Sequence, residues 1–301
     1  MPELPEVETA RRLAARILAG RRIVAVAAAD DGIVYDGAAP ARVAAALRGR
    51  RVVGVRRRGK YFWLELDRRP WPLLHLGMTG RIAGWTGSCG RDLRVPTGAA
   101  VAGRSPLPQH EGRRIITRGR AFRNADPVRF LKLDLRTDDG GRLVMTDARR
   151  LGRIRLRRDP AAEPPVSRLG PDPLVDGLTA AYVRDVLARR TPPIKAVLLD
   201  QSVFAGVGNW IADEVLYQAR IAPARRARGL RPEEAERLRK KLLAVIGHAV
   251  KVGADDGRFP RSWLFHYRWG RGKAAAVPGA GRIAFRTIGG RTAVWVPVVQ
   301  R

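Results

Sequence analysis

The first twenty residues carry apolar side chains at the spacing of a helix. These positions recur every three or four residues, which is the period of one helix face, and they are Val7, Ala10, Leu13, Ala14, Ile17 and Leu18. Pro5 suits the first turn, because the N–H that proline lacks has no helical partner there, and Gly20 suits a helix end. The pattern predicts an amphipathic helix that begins within a few residues of the N-terminus.

After this helix the apolar runs are shorter and favour strands. They are separated by Gly, Arg and Pro and cover residues 22–29, 51–55, 61–66 and 73–78. Residues 131–136 alternate between apolar and polar side chains, the pattern of a strand with one buried face. Asp139-Gly140-Gly141 then turns the chain into another apolar run at residues 142–145, and residues 41–47 favour a short helix. The first half of the chain is therefore predicted to be β-rich.

The second half changes to helical spacing after a proline-rich stretch at residues 159–173. Thr179 is placed to cap a helix that runs to about Arg189, and residues 193–199 and 232–250 predict two further helices. Pro-rich polar stretches of this kind are typical of linkers. The chain is thus predicted to fold as two domains of different character.

The C-terminus predicts a β-hairpin, with strands at residues 282–287 and 291–297 joined at Gly289-Gly290. In the first half, residues 87–124 show no periodicity and predict a long surface insertion. We therefore expect an α+β protein of three parts: an N-terminal domain at residues 1–158, a linker at 159–176 and a largely helical domain at 177–301.

The charge of the chain indicates the class of its partner. Lys and Arg together number 58 against 28 for Asp and Glu, which gives a formal net charge of +30. An excess of this size favours a polyanion, most simply nucleic acid. A GC-rich genome, which encodes arginine often, is the alternative explanation for part of the excess.

Other compositional features narrow the class further. No apolar run approaches the ~20 residues that cross a bilayer, and no signal peptide is visible, so we expect a cytoplasmic protein without a membrane partner. The single cysteine, Cys89, excludes an internal disulfide and a cysteine-rich zinc cluster. The four histidines are widely spaced. We expect the protein to work without a metal.

The N-terminus brings an amine and carboxyl groups together. The chain begins Met-Pro-Glu-Leu-Pro-Glu, and removal of the initiator Met would leave Pro2 with a free secondary amine. An α-amine has a pKa of about 7.7–8.0, so much of it is nucleophilic at neutral pH. A proline amine that attacks a sugar carbon forms an iminium directly, and Glu3 is close enough to transfer a proton. The alternative is that Pro and Glu only start the helix.

A second motif lies between the predicted helices of the C-terminal half. Gly206-Val207-Gly208-Asn209 predicts a tight turn into a helix that begins at Asn209. A helix N-terminus presents unpaired N–H groups and a positive dipole end, which suit a phosphate group. By itself this short motif is weak evidence for phosphate binding.

Both motifs, with the segments between them, resemble one enzyme family. Pro2–Glu8 and Asp200–Glu214 are similar to the corresponding segments of formamidopyrimidine-DNA glycosylases (Fpg/MutM) and endonuclease VIII-like base-excision enzymes. Three motifs lie between them in the family's order, and the family's linker follows: they are Gly59–Tyr61, His75–Gly80, Thr146–Gly152 and Leu169–Leu174. The resemblance covers nearly the whole chain except residues 87–124. It implies an N-terminal β-sandwich with flanking helices and a C-terminal domain with a helix–two-turn–helix motif.

The resemblance also implies a bifunctional DNA glycosylase and abasic-site lyase for base-excision repair. Pro2 would attack C1′ of the damaged nucleotide and form a Schiff base, with Glu3 as its acid–base partner and Glu6 ordering the pocket. Elimination of the 3′-phosphate and then the 5′-phosphate would follow. Lys60 and Asn209, which follows Gly208 at the helix start, would hold the DNA backbone beside the lesion, which positions the protein without reading sequence.

Three further side chains would act on the base stack. A damaged base must be extruded before it is cut out, and wedges fill the hole that it leaves. By resemblance the wedges are Met78, Arg149 and Leu151. Family members often have Phe where Leu151 stands, so this chain keeps an apolar plug without aromatic stacking. Without the resemblance, Met78 and Leu151 would be assigned to the core.

The chain departs from the family at its C-terminus. Fpg and endonuclease VIII usually end in a four-cysteine zinc finger, and this chain has no cysteine after Cys89. Residues from about 264 to 301 instead resemble the zincless finger of some relatives, with Arg291 as the finger arginine that binds phosphate beside the lesion. Trp295, Ile283 and Phe285 are the expected replacements for the packing that zinc provides. No zinc or other cofactor is expected.

The preferred lesion stays open. Family members that excise 8-oxoguanine have a long loop over the flipped base, and residues 253–260 are short in this chain. Ring-opened purines and oxidised pyrimidines are equally possible substrates. The partner implied is double-stranded DNA with damaged bases or abasic sites, bound by a monomer. The alternative is a non-catalytic damaged-DNA-binding protein that retains the scaffold.

Overall fold

The computed structural model describes residues 2–86, the backbone of 92–94, and residues 128–269 and 275–301. The insertion predicted at residues 87–124 lies almost entirely outside the described residues. The structure divides into two compact units. The first runs up to Ser167 and takes in residues 252–258, and the second comprises residues 168–251 and 259–301. None of the described helices has the length and apolar character needed to cross a membrane.

The first unit is built from two antiparallel sheets and two helices. The helices are α1 (Leu4–Leu18) and α2 (Pro40–Leu47). The strands are β1 (Ile23–Ala28), β2 (Val52–Arg58), β3 (Tyr61–Leu66), β4 (Trp71–His75), β5 (Arg81–Trp85), β6 (Asp92–Arg94), β7 (Leu131–Thr137), β8 (Arg142–Thr146) and β9 (Arg153–Arg157). They form one sheet in the order β1-β7-β8-β5-β6 and another in the order β2-β3-β4-β9.

Both sheets of the first unit bury one face in a common core with helix α1. Apolar residues of β2, β3, β4 and β9 share this core with apolar residues of β1, β5, β7 and β8. Val7, Leu13 and Ile17 of α1 are buried in it, which confirms the face predicted from their spacing. The core fixes α1 against strands of both sheets, so the residues at its N-terminus are held by a packed element.

Strand β4 ends earlier than its apolar run suggests. Residues 73–78 predict one strand, yet the strand stops at His75 and the chain turns through Leu76–Thr79. Gly77 adopts φ +58°, and a Cβ atom there would lie 2.3 Å from the carbonyl oxygen of Leu151. The turn is therefore imposed by close packing against a distant loop, which the local pattern does not reveal.

The second unit is helical, with a small β-structure at its C-terminus. Its helices are α3 (Ala180–Ala188), α4 (Ile194–Leu199), α5 (Asn209–Ala219) and α6 (Pro232–Lys251). Thr179 caps α3 as predicted, because its hydroxyl oxygen accepts the N–H of Tyr182 at 3.1 Å. Two short strands, β10 (Ala276–Val277) and β11 (Gly281–Arg282), precede the C-terminal hairpin of β12 (Ala284–Ile288) and β13 (Arg291–Trp295).

The C-terminal hairpin has its own small hydrophobic core. Gly289 and Gly290 form its turn with φ values of +58° and +70°, the left-handed backbone that glycine adopts without strain. Ile283 and Phe285 pack on this core as expected, together with Leu264, Val277, Val294 and Val296. Trp295 was also predicted to pack on this core, and it does not belong to it. Since side chains alternate along an extended chain, Val294 and Val296 take the inward positions on either side of it.

Candidate active site

The N-terminal residues are fixed by a reciprocal cap on helix α1. Pro2 is half-buried directly before the helix, and Glu3 is the N-cap residue with 1% of its surface exposed. The N–H of Glu3 donates to Oε2 of Glu6 at 3.0 Å, and the Glu3 side chain accepts the N–H of Glu6. This capping box satisfies two helix-end donors. It holds both carboxyl groups beside Pro2, at the positive end of the helix dipole.

The Glu6 carboxyl has an unusual affinity for protons. Burial, reinforced by the neighbouring charge of Glu3, raises the pKa of Glu6 from 4.5 to about 7. A carboxyl with this pKa both accepts and releases a proton near neutral pH, which is the property required of an acid–base group. A carboxyl that can exchange protons near neutral pH therefore bonds the N–H of Glu3, the residue after Pro2.

We expect the Glu6→Gln substitution to remove a pH-dependent loss of stability. Between pH 4.5 and about 7 the folded protein holds a proton on Glu6 that the unfolded chain releases. Folding of the wild type therefore becomes less favourable, relative to the glutamine variant, as pH rises through this range. Urea titrations at pH 5 and pH 8 measure the difference, which should move in favour of the variant at pH 8.

Glu234 provides a matched control for this measurement. Its Oε2 accepts the N–H of Arg231 at 2.9 Å, the same capping geometry as at Glu6. Hydrogen bonding from Arg225, however, lowers the pKa of Glu234 to about 2. The effect of Glu234→Gln on stability should therefore be the same at pH 5 and pH 8. If Glu6→Gln also changes the stability by the same amount at pH 5 and at pH 8, the raised pKa of Glu6 is contradicted.

Lys60 lies on the tight turn between strands β2 and β3. Arg57 has its side chain buried and donates to the carbonyl oxygen of Gly59 at 2.9 Å and to Oε2 of Glu8 at 3.1 Å. Glu8 belongs to helix α1, so a buried ion pair connects that helix to the residue that precedes Lys60. The sequence did not single out this pair as part of the site, and Arg57 lies between two other arginines.

His75 lies beside this turn, although the sequence assigned it no role. Its ring centroid is 4.7 Å from that of Tyr61. Burial and the positive charge of Lys60 lower the pKa of His75 to about 4, so the ring is neutral at physiological pH. Nδ1 faces the N–H of Gly77 at 3.2 Å and accepts it. The ring proton therefore lies on Nε2, so the neutral ring has one N–H donor.

The predicted wedge residues occupy two loops that are packed together. Met78 and Leu151 are 38% and 36% exposed, values high for such apolar side chains, and Arg149 is exposed as well. The loops meet through their backbones, because Gly77 has no room for a Cβ atom against the Leu151 carbonyl. The core assignment that applied without the resemblance is wrong for Met78 and Leu151, since both are exposed.

Asp147 joins these two loops and was not singled out from the sequence. It is 1% exposed, and its carboxylate accepts three hydrogen bonds. The donors are the Thr79 hydroxyl at 2.5 Å, the Arg149 N–H at 3.2 Å and the Gly152 N–H at 2.6 Å. One buried carboxylate thus fixes the loop that carries Met78 to the loop that carries Leu151.

Asp147→Ala should destabilise the protein by about 3 kcal/mol, because the buried N–H of Gly152 and two other donors lose a charged acceptor. Urea unfolding followed by circular dichroism measures the loss. Asp138→Ala is the control, since Asp138 is exposed and its carboxylate accepts the N–H of Arg22 at 3.2 Å. Asp138→Ala should lower the free energy of unfolding by no more than about 1 kcal/mol. An equal cost for both variants would show that Asp147 does not tie the loops.

The second unit brings Asn209 and Arg291 to one place. Gly208 is the N-cap of α5, and Asn209 is the first residue of that helix, as predicted. Nδ2 of Asn209 donates to the carbonyl oxygen of Thr292 at 3.1 Å. Thr292 follows Arg291, which is exposed at the start of β13. The helix N-terminus is therefore bonded to the hairpin one residue after its arginine.

The predicted site residues fall into two groups. The first unit contains Pro2, Glu3, Glu6, Lys60, Met78, Arg149 and Leu151, and the second contains Gly208, Asn209 and Arg291. Both groups include cationic side chains, Lys60 and Arg149 in the first and Arg291 in the second, and these suit an anionic polymer. Only the first group includes acid–base residues beside an N-terminal proline.

Family comparisons match both halves of the chain. Residues 1–154 match the formamidopyrimidine-DNA glycosylase N-terminal domain, and residues 169–260 match the formamidopyrimidine-DNA glycosylase H2TH domain. These two matches together cover most of the chain, and they leave out the hairpin that carries Arg291.

Individual relatives match over the whole chain. A formamidopyrimidine-DNA glycosylase of Arabidopsis thaliana is 39% identical over 303 residues, which is all of this chain and 71% of the relative. Another from Paracoccus denitrificans is 33% identical, with both chains fully covered. The crystal structure of Lactococcus lactis formamidopyrimidine-DNA glycosylase, bound non-covalently to DNA with an abasic site, superimposes with a TM-score of 0.74 at 24% identity and covers 99% of each chain. That last similarity concerns the fold.

Proposed function

Because the chain belongs to the formamidopyrimidine-DNA glycosylase family, we propose that it removes damaged bases from DNA and then cleaves the abasic site through a covalent intermediate on Pro2. The observation that carries the proposal is the N-terminal arrangement. Pro2 precedes a packed helix, Glu3 caps that helix, and Glu6 has a pKa of about 7 beside them. A nucleophile and a proton carrier are thereby held together, as covalent catalysis requires.

The first chemical step exchanges one bond for another at the sugar. The amine of Pro2, once Met1 has been removed, attacks C1′ of the damaged nucleotide. The bond from C1′ to the base breaks, and the base leaves with the bonding electrons and takes up a proton. Ring opening of the sugar gives an iminium that joins Pro2 to C1′. Glu3 exchanges the required protons, and Glu6 accepts or returns them near neutral pH.

The iminium then makes strand cleavage possible. It withdraws electrons from C1′, so a proton leaves C2′ and the C3′–O bond breaks with the 3′-phosphate as the leaving group. A second proton loss expels the 5′-phosphate in the same manner. Water finally hydrolyses the imine and restores the free amine. Both eliminations need a positioned base, and the carboxyl pair beside Pro2 provides it.

The cationic residues of both units bind the DNA backbone in this proposal. Lys60 and the Nε2–H of His75 hold phosphate groups in the first unit, and Asn209 and Arg291 hold them in the second. With a net charge of +30, binding draws much of its strength from the release of counterions and weakens steeply with salt. The partner is double-stranded DNA with a damaged base or an abasic site.

Met78, Arg149 and Leu151 replace the extruded nucleotide in the base stack. Their exposed side chains stand on loops that Asp147 fixes to each other, so they enter DNA without reordering of the loops. Side chains that fill the gap in the stack lower the free energy needed to hold the base outside the DNA helix. The excised base is an oxidised or ring-opened base.

The enzyme is proposed to need no zinc. The segment from residue 264 to the C-terminus contains no cysteine, so the residues present do not fit the four-cysteine site that the family usually has there. Leu264, Val277, Val294 and Val296 form the interior of this segment instead. No step of the proposed reaction uses a metal.

Borohydride trapping tests the proposal directly. Sodium borohydride reduces the iminium to a stable amine, so incubation with a duplex that contains one abasic site should yield a covalent protein–DNA adduct. Mass spectrometry of the adduct should place the DNA on Pro2 and should show that Met1 is absent. Correctly trimmed protein that binds the duplex and forms no adduct would contradict the proposal. The same assay with 8-oxoguanine, formamidopyrimidine, thymine glycol and dihydrouracil duplexes identifies the preferred lesion.

A further inference from the structure

Helix α4 contains a lysine that is completely buried. Lys195 has 0% of its surface exposed, which is rare for this residue type unless it is paired. Its ammonium donates to Oδ1 of Asp213 at 2.6 Å and to the carbonyl oxygen of Thr292 at 2.8 Å. The lysine therefore connects helix α4, helix α5 and strand β13 at a single atom.

Asp213 extends this contact into a network of buried charges. Its second oxygen, Oδ2, accepts a hydrogen bond from Arg268 at 2.7 Å. Asp213 is 1% exposed and Arg268 is 7% exposed. A single carboxylate thus pairs with two buried cations. Breaking such a pair leaves a charge without its partner in a medium that solvates it poorly, so the arrangement is costly to disturb.

Two features show that the hairpin is docked at this point. The Thr292 carbonyl accepts a second hydrogen bond, from Nδ2 of Asn209. At the turn, Gly289 adopts φ +58°, and a Cβ atom there would lie 3.2 Å from the Cβ of Ala196. Ala196 follows Lys195 on α4. The hairpin therefore contacts α4 with both its turn and the first residues of β13.

We propose that Lys195 and Asp213 are positioning residues that hold Arg291 for phosphate binding. The inference rests on the proposed function, because it requires that Arg291 bind DNA. Lys195 fixes the carbonyl of Thr292, the residue next to Arg291, and Asp213 orients the lysine side chain. Since the finger segment has no cysteine to hold a metal, this buried charge network provides its rigid connection to the helices.

Positioning differs from general stabilisation in its effect on DNA binding. A residue that only stabilises the fold weakens binding independently of Arg291, so its effect multiplies with that of Arg291→Ala. A residue that positions Arg291 has nothing left to contribute once that side chain has been removed. A double-mutant cycle separates the two cases.

The experiment measures binding to a duplex with a tetrahydrofuran abasic-site analogue at several salt concentrations. Arg291→Ala should weaken binding on the order of tenfold and lower the salt slope by about one. Lys195→Met should weaken binding to a similar extent and lower the slope by a similar amount. The double variant should bind no more weakly than Arg291→Ala alone. If the two losses multiply, or if Lys195→Met leaves the slope unchanged, the inference is overturned.

Gly289→Ala tests the same docking without changing a charge. Gly289→Ala should weaken DNA binding and lower the salt slope as Lys195→Met does, because the new methyl group would lie 3.2 Å from the Cβ of Ala196. Gly290→Ala is its matched control: φ is +70° there, so the backbone strain is similar, yet the added Cβ meets no atom within 4 Å. If Lys195→Met does not fold, this pair decides the question. Equal binding by Gly289→Ala and Gly290→Ala would then overturn the inference.

Arg142→Met controls for the loss of a buried ion pair elsewhere. Arg142 pairs with Asp134 at 2.7 Å in the first unit, and its loss should lower stability without changing the salt slope. Borohydride trapping of the wild type is run separately. A wild type that binds the duplex but forms no adduct would contradict the proposed chemistry and leave the positioning of Arg291 intact.

Discussion

Pro2→Gly should lower strand cleavage at an abasic site by about a thousandfold, because the reaction loses a positioned nucleophile. Glycine supplies a primary amine in place of the secondary amine, and the iminium that it forms can lose its remaining N–H proton to become a neutral imine, which withdraws electrons from C1′ less strongly. Glycine also frees the backbone at the N-terminus, so the amine is no longer fixed beside Glu3. Single-turnover cleavage of a duplex with one abasic site measures the effect.

Binding should change little in this variant. No phosphate contact is assigned to Pro2, so the affinity for a tetrahydrofuran duplex should stay within about twofold, well below the effect of losing one charged contact. Pro40→Ala is the control, since Pro40 is a proline at the start of another helix, α2, and no catalytic role is assigned to it. Cleavage by the control should be unaffected. If Pro2→Gly cleaves at more than a tenth of the wild-type rate after verified removal of Met1, the amine is not the nucleophile.

Glu3→Gln should slow base release by roughly a hundredfold to ten thousandfold, the range found for a general acid–base group. Glutamine has the same shape, and its amide oxygen still accepts the N–H of Glu6, so the helix cap survives. The loss should therefore reflect proton transfer alone. Base release and cleavage of a preformed abasic site are measured separately under single-turnover conditions.

The two steps should respond differently to this substitution. Base release needs a proton on the leaving group and should lose more than cleavage of a preformed abasic site, where no base has to leave. Glu234→Gln again serves as the control, because Glu234 is a buried capping carboxylate at another helix. Loss of binding in Glu3→Gln, rather than loss of rate, would show that the carboxylate has a structural role only.

Local patterns were sufficient to predict several elements. The apolar spacing of α1 predicts its buried face, and Gly289-Gly290 predicts the hairpin turn. Strand β9 was missed, because Arg153, Arg155 and Arg157 make its sequence look like a basic surface segment. Its pattern of arginine alternating with Ile154 and Leu156 was the available signal. Strand β5 was missed too, since Arg81 and Gly84 interrupt a short apolar run.

The contacts that fix the site could not be read from local patterns. Arg57 and Glu8 are 49 positions apart, and Lys195 and Thr292 are 97 apart. One sequence gives no measure of which distant charges become paired. Glu6 is different, because a glutamate three residues after another at a helix start indicates a capping box. The resemblance to a family predicted which residues react, whereas the buried residues that hold them in place were found only from the three-dimensional structure.

The bond pattern of Asp147 has a kinetic consequence. With one carboxylate shared between two loops, the tips that carry Met78 and Leu151 behave as a single rigid prong. They should penetrate the duplex together, so opening of the stack and closure of the gap form one concerted event instead of two successive ones. Under the proposed function, the protein would then pass from undamaged DNA to a lesion without a half-inserted intermediate.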